Sequence, residues 1–383
     1  VFFIIFLVNL PFMYLAFSPV FTNDAIVLGI LLIVLAVIFH TSSLESSGWK
    51  KFYTYVPGLL LAYFLPALLN WPLGLIAPHW YESSLSDLLN AYSLTMPDNL
   101  SFDNITNFLN ENGVPPSEYK AHQGHSQLYF VASRYLLPAS LILLCLGIDF
   151  NGIKRLGPKA LIMFFTATLG IIIGGPVALM LISSFFPEII GGSPDDIWRG
   201  LSTVAGSWIG GGANQTAMKE IFEVKDNLFG TMIVVDVVVA NIWMGFLLYG
   251  ANISDRLDNW LKADNSAIED LKKRVADYRA SIEKMPTTTT TFVLLAVGFG
   301  GVALSHFGAD TLTPYMTSFK DTLNNLRLNS LMSHFFWLIV VATTFGMLLS
   351  LTRFRKLEGV GASRWGSVFI YILVATIGMK MNL

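Results

Sequence analysis

WRGLSTVAGSWIGGGANQTAMKEIFEV, residues 198–224, decides how the chain is read. Two helix-like pieces, each too short to cross a bilayer, meet at Gly210-Gly211-Gly212. Consecutive glycines visit backbone angles closed to other residues. The helix is therefore expected to unwind there and leave peptide N–H and C=O groups without intrahelical partners. In hydrocarbon, broken backbone survives only where protein buries it or where it lines a wet cavity, which is how secondary transporters build substrate and ion sites.

The surroundings are those of a membrane protein. Of 383 residues, 54% are hydrophobic and only 13% charged, and the mean hydropathy is +0.58. A soluble domain carries about 25% charged residues. Apolar runs near residues 24–40, 55–76, 128–149, 158–186, 227–250, 290–308, 331–352 and 364–380 approach the length of a span, so the expected class is all-α and multi-pass. Residues 1–17 lack a basic flank and read as part of an extra N-terminal helix, 1–23, rather than a signal peptide. A net charge of −2 argues against nucleic acid as a partner, and the single cysteine, Cys145, excludes an intrachain disulfide. The bilayer itself is the first partner.

Charge placement orients the spans. Loops 41–54, 150–159, 251–290 and 353–364 hold 16 of the 24 Lys and Arg, which makes them cytoplasmic by the positive-inside rule and suits a bacterial inner membrane. The count works only if residues 198–224 cross no net membrane, so they are expected to form a re-entrant hairpin dipping in from the outer side. Residues 77–127, rich in Asn, Ser and Pro, become an external loop or small cap. Within the cytoplasmic linker, 251–289, Ile268, Leu271, Val275 and Tyr278 recur at helical spacing and Glu269–Lys273 forms an i,i+4 pair, as in a solvated surface helix.

ASRYLLPASLILLCLGIDFN, 132–151, is echoed by ASRWGSVFIYILVATIGMKMN, 362–382, with Ala-Ser-Arg-aromatic at one end and Gly-x-x-x-Asn at the other. The assigned topology points the two copies in opposite directions, a signature of inverted-repeat transporters. Residues 24–250 would then be the first repeat and 290–383 the start of a second. A counterpart glycine hairpin would lie past Leu383, so either the second half is degenerate or the chain lacks its C-terminal part.

Ser207, Trp208, Asn214, Gln215 and Thr216 gather around the glycines, where their polar groups could hold a solute or a dehydrated cation such as Na⁺. The N-terminus of the second half-helix favours an anionic group. Asp236 and Asn241 sit inside the next apolar span. A mid-span aspartate costs about 3 kcal/mol on insertion scales, so it is expected to bind or carry a cation. A structural hydrogen bond is the plainer reading of Asp236, as helix packing is of the glycines. Gly174-Gly175-Pro176 is expected to break its span and open room beside the hairpin, with packing or a plain kink as the equal alternative. Asp149 and Lys380 read as snorkelling or capping charges at matched helix ends, and Lys219-Glu220 as either a self-neutralising pair or an anion lure. Three enzyme-like or metal-like patterns lack their contexts: His79, His122 and His125 lie in a polar loop, GFGGVA at 298–303 follows no strand, and Ser207 is preceded by Ala205 where a nucleophile elbow needs glycine. No catalytic set and no resident cofactor are expected.

LLCLGIDFNGIKRLGPKALIMFF, GGP at 174–176, GSWIGGGANQTAMKE and VVDVVVANIWM together resemble the YjcL-like family, the domain of unknown function numbered 819, over residues 24–383. By that resemblance the chain is similar to glutamate:sodium symporters, bile-acid symporters and cation/proton antiporters. The resemblance implies broken helices in a mobile core and a dimeric, elevator-like carrier. Family members carry a second glycine-rich motif, which the sequence up to Leu383 does not contain. The expected function is secondary transport, Na⁺- or H⁺-coupled symport of a small anionic organic solute such as an amino acid, carboxylate or small peptide. A cation/proton antiporter is the alternative. An intramembrane enzyme or a structural membrane protein is more remote.

Overall fold

The computed structural model describes residues 18–95, 97, 101–150, 154, 157–189, 193–252, 260, 285–326 and 328–381. The N-terminal helix expected before residue 18 and the surface helix expected within 261–284 lie outside them.

The described chain is a helical, multi-pass membrane protein. Six helices are long and apolar enough to span a bilayer, or up to eight if each of two bent pairs counts as one span. In order, α1 is Asp24–Ser43, α2 Ser47–Tyr55 and α3 Gly58–Asn70. A cap with α4 Leu85–Ala91 and α5 Phe102–Glu111 follows, then α6 Leu128–Leu146, α7 Gly157–Phe185, α8 Pro194–Gly210, α9 Gly212–Ile221 and α10 Asp226–Asn252. The series ends with α11 Thr288–Thr317, α12 His334–Ser350 and α13 Ala362–Lys380. The expected span at 55–76 is the helix α3, and the expected loop before it holds a further helix, α2, bent from α3 by 86°. Pro57 sits at the N-cap of α3 and cannot donate a continuing helical bond.

The centre of the bundle is α6 against α13. These are the two most buried spans, 50% and 61% of their apolar windows. A Cβ on Gly366 of α13 would lie 3.0 Å from the Ser140 carbonyl of α6. Gly147, at the far end of α6, faces Glu358, just before α13 begins. The two stretches that share the Ala-Ser-Arg-aromatic pattern therefore lie side by side and run in opposite directions. At Gly378 the approach is tighter still: a Cβ there would fall 2.2 Å from the Tyr63 carbonyl of α3, so only glycine fits. α11 and α12 pack on the other flank of α6 through Ile142, Leu143, Ala342 and Val302.

Pro138 shapes the middle of α6. It has no N–H to give the Arg134 carbonyl, and the preceding turn, Ala132–Leu136, widens to a π-turn. His306 of α11 takes the released carbonyl, with Nε2 3.1 Å from Arg134 O. The expected break at Gly174-Gly175-Pro176 does not occur: α7 runs unbroken through it, because a helix within a membrane tolerates the one N–H that proline omits. None of the apolar window of α7 is fully buried: one stripe, Thr168, Ile171, Gly175 and Leu179, is half-buried and the rest of residues 161–185 faces outward.

The described residues of 77–127 form a folded cap. A two-stranded antiparallel sheet pairs His79 with His125 and Tyr81 with Gln123. Tyr81, Leu85, Leu89, Ile105 and Leu109 make a small core of its own beneath α4 and α5. The cap is tied down where it rejoins the bundle: Ser126 Oγ donates to Asp24 Oδ1 at 2.6 Å and Gln127 N to Oδ2 at 3.0 Å.

Candidate functional site at a glycine-broken hairpin

α8 and α9 turn on one residue. Gly211 has φ 82° and ψ −176°, a region that is essentially glycine's alone. Its N–H reaches Ser207 O at 2.6 Å and its carbonyl accepts from Gln215 N at 3.1 Å. Gly210 and Gly212 stay helical, so the three-residue unwinding expected from sequence contracts to Gly211. Gly210 serves another purpose: a Cβ there would lie 1.7 Å from Asn214 Nδ2, which packs over it. One turn back, a Cβ on Gly206 would meet Met218 Cγ at 2.7 Å. The half-helices thus run side by side.

At the other end, the Trp198 and Phe222 rings lie 5.4 Å apart, Arg199 Nη1 donates to the Phe222 carbonyl, and Lys225 pairs with Asp196 at 3.0 Å. Residues 196–199 and 222–225 share one level, so the hairpin leaves where it enters. The stretch is a helical hairpin that begins slightly earlier than the sequence predicts, at Pro194. Asp195 and Asp196 at this base are held below the ordinary carboxylate pKa. Hydrogen bonds from Trp198 and Arg199 act on Asp195, and those from Lys225 and Ser193 on Asp196.

The tip is organised around a carboxylate. Ser207 Oγ donates to Asp236 Oδ2 at 2.7 Å, Trp208 Nε1 donates to Oδ1 at 2.7 Å, and Gln215 Nε2 lies 3.4 Å from Oδ2. Each comes from the hairpin, and Asp236 comes from α10. No side chain caps the N-terminus of α9, so the helix presents its first peptide N–H groups and positive dipole end at the tip. Of the residues singled out from sequence, Ser207, Trp208, Gln215, Asp236 and the three glycines converge here.

Three do not reach the carboxylate. Asn214 packs on Gly210. Thr216 is fully buried and turned to the opposite side, donating to Gly212 O at 2.9 Å and lying 3.4 Å from the Tyr63 hydroxyl. Asn241 is exposed and donates to Val237 O of its own helix at 2.9 Å. Five residues past Asp236 it has rotated by about 140°, which removes it from the hairpin face.

Replacing Gly211 by Ala is expected to destabilise the hairpin by about 1–3 kcal/mol. The added Cβ would meet nothing within 4 Å, so the whole cost is backbone strain. A thermal-melting comparison in detergent checks it, and an unchanged midpoint would mean the turn does not hold this conformation.

A second polar centre lies at the hairpin base, about 15 Å along α10 from Asp236. Lys219, with a side chain only 5% exposed, sits 3.0 Å from Glu220 and 2.9 Å from Asp226. Lys380 closes the network, 3.0 Å from the other oxygen of Asp226 and 3.8 Å from the centre of the Tyr129 ring. Tyr129 donates to Glu220 and accepts from Lys219 at 2.9 Å. Lys219 and Glu220 do neutralise each other, but with partners from three further elements. Lys380 does not snorkel outward; it turns into this network. Above it, burial and then the nearby Lys380 and His125 charges hold the His79 imidazole of the cap below the ordinary histidine pKa.

The network opens on a pocket of about 410 Å³ whose walls include Arg134, Glu223 and His334. It gathers the start of α6, the end of α9, the starts of α10 and α12 and the end of α13 at one end of the bundle. Tyr129, Arg134 and Asp226 were not singled out from sequence as a site. The adjacent opposite charges at Lys219-Glu220, in an otherwise uncharged half-helix, were the one local signal.

No curated protein and no solved structure matches the chain. The family described as "Protein of unknown function (DUF819)" matches residues 121–383, which takes in both polar centres, the whole hairpin and the α6–α13 pair. On that match over more than half its length, the chain belongs to the DUF819 family.

Proposed function

We propose that this protein is a secondary active transporter in which the α8–α9 hairpin and α10 form the moving site, coupling Na⁺ or H⁺ to a small anionic organic solute. The observation that carries the reading is the Asp236 carboxylate at mid-span, held by Ser207, Trp208 and Gln215 from the tip of a broken helix. A charge at that depth is costly and is kept where ions or protons pass. Asp236 and Ser207 offer oxygen ligands for a cation. The uncapped start of α9 at Gly212 offers N–H groups and a favourable field for an anion. The antiparallel α6 and α13 suit an inverted repeat, and the outward-facing apolar surface of α7 suits lipid or a second copy in a homodimer. In this reading the membrane is the bacterial inner membrane and linker 251–289 is cytoplasmic.

Cation/proton antiport without an organic solute is the second reading. It needs only the mid-span Asp236 carboxylate, which can take an ion or a proton in turn, and no group to hold a solute. Purified full chain in proteoliposomes separates the two. Symport predicts uptake of labelled small carboxylates driven by an imposed Na⁺ or pH gradient. Antiport predicts dissipation of a pH gradient on adding Na⁺ or K⁺ with no solute present. Neither flux, in vesicles proven to contain folded protein, would sink both.

A further inference from the structure

We propose that the pocket at the hairpin base is a second binding site, taking a small zwitterion of amino-acid type with its carboxylate at Arg134 and its ammonium at Glu223. The site is distinct from Asp236 and does not depend on the transport reading.

The assignment follows from which lining groups are already spent. Lys219 and Lys380 are bound to Glu220 and Asp226. Tyr129 donates to Glu220, the Ser333 hydroxyl accepts from Phe336 N, and His334 pairs with Asp310 at 2.9 Å. Two charged groups remain. Arg134 stacks its guanidinium 4.4 Å from the Phe335 ring centre, which orients it, while its Nη1 is buried with no hydrogen-bond acceptor among the described residues. Glu223, an exposed residue at the rim of the pocket, makes no hydrogen bond or ion pair with a described residue, so its carboxylate is free to meet a ligand's ammonium. A buried guanidinium N–H without an acceptor is costly, and an arriving carboxylate relieves it in the geometry the guanidinium fork prefers.

Glu223 carries a second indication. It sits just past the end of α9 with φ 52°, the left-handed position that ordinarily goes to glycine. The backbone there closes in the usual way, Val224 N to Lys219 O at 2.9 Å. The backbone there places the Glu223 side chain on the pocket wall without any role in capping the helix. With three cations, Arg134, Lys219 and Lys380, against three carboxylates, Glu220, Glu223 and Asp226, the walls suit a net-neutral ligand carrying both charges. A volume of about 410 Å³ suits an amino acid. Arg134 belongs to α6 and Glu223 to the hairpin end, so the bound molecule ties the hairpin to the bundle.

The test titrates the full chain in detergent with each of the twenty common amino acids. Acetate, ethylamine and inorganic phosphate serve as controls carrying charge of one sign only, and thermal shift and calorimetry as readouts. At least one amino acid is expected to bind, and all three controls to bind far more weakly. Glu223→Gly, which suits the backbone, and Arg134→Gln are each expected to weaken that binding about tenfold or more. Asp236→Asn is expected to leave it within about twofold. The proposal is overturned if no amino acid binds at millimolar concentration, if acetate or phosphate binds as well as the best amino acid, or if Glu223→Gly binds like the unaltered protein. Binding lost in Asp236→Asn but kept in Glu223→Gly would place the ligand at the tip instead and overturn it equally.

Discussion

Asp236→Asn is expected to abolish cation-coupled flux while leaving the fold standing. The geometry at the tip makes the two effects separable. Trp208 Nε1 can only donate, and it meets Oδ1; Ser207 Oγ donates to Oδ2 but can rotate to accept. An asparagine placed with its oxygen toward Trp208 and its amide toward Ser207 keeps both hydrogen bonds with one hydroxyl rotation. Gln215, at 3.4 Å, is the weakest of the three and loses little. The melting midpoint should therefore move slightly. What disappears is the negative charge, and with it the group that neutralises a dehydrated cation or carries a proton. Removing one partner of a desolvated charge pair costs about 2–5 kcal/mol, roughly a 30-fold to several-thousand-fold loss of cation affinity. Flux in proteoliposomes, read beside the melting curve, checks both halves. Full Na⁺- or pH-dependent flux in the Asn variant would confine Asp236 to the structural role of holding the hairpin tip.

That site was legible in the sequence because its signals are local. Three glycines in an apolar stretch announce a break, and one aspartate among valines announces a cost that something must repay. That the two pieces double back on each other agrees with the charge-placement argument, which asked for a stretch with no net crossing. The errors arise where partners come from distant parts of the chain. Nothing near Thr216 or Asn214 tells which side of a ten-residue helix faces α10 and which faces α3; packing against Tyr63 and Gly210 settles it. Asn241 looked paired with Asp236 by proximity in sequence, but helical rotation separates them. Gly174-Gly175-Pro176 has the composition of a break and keeps its helix, because in a membrane one absent N–H is a weaker constraint than continuity. The base network was almost invisible: Lys380, Asp226, Tyr129 and Lys219 are brought together from four elements and become a site only when α13 runs back along α6.

Lys219→Met is expected to be the most destabilising single substitution of a charged residue among those described. Lys219 is buried, and its ammonium serves three acceptors at once: Glu220 at 3.0 Å, Asp226 at 2.9 Å and the Tyr129 hydroxyl at 2.9 Å. Asp226 would keep Lys380. Glu220, whose side chain is only 8% exposed, would keep a hydrogen bond from Tyr129 and no cation. Leaving a buried carboxylate without its counter-charge costs about 3–5 kcal/mol, far more than the pair contributes over an apolar replacement. The expected fall in melting midpoint is on the order of 10 °C. The asymmetry supplies the control. In Lys219→Met with Glu220→Leu both charges are gone, the volumes are nearly kept, and most of the loss should be recovered. If the double variant melts as low as the single one, the network holds the hairpin to α6 and α13 by hydrogen-bond geometry rather than by balancing charge. If the single variant melts like the unaltered protein, the Glu220 carboxylate is not buried beside Lys219, and the hairpin base is looser than the close contacts of Tyr129 and Lys380 require.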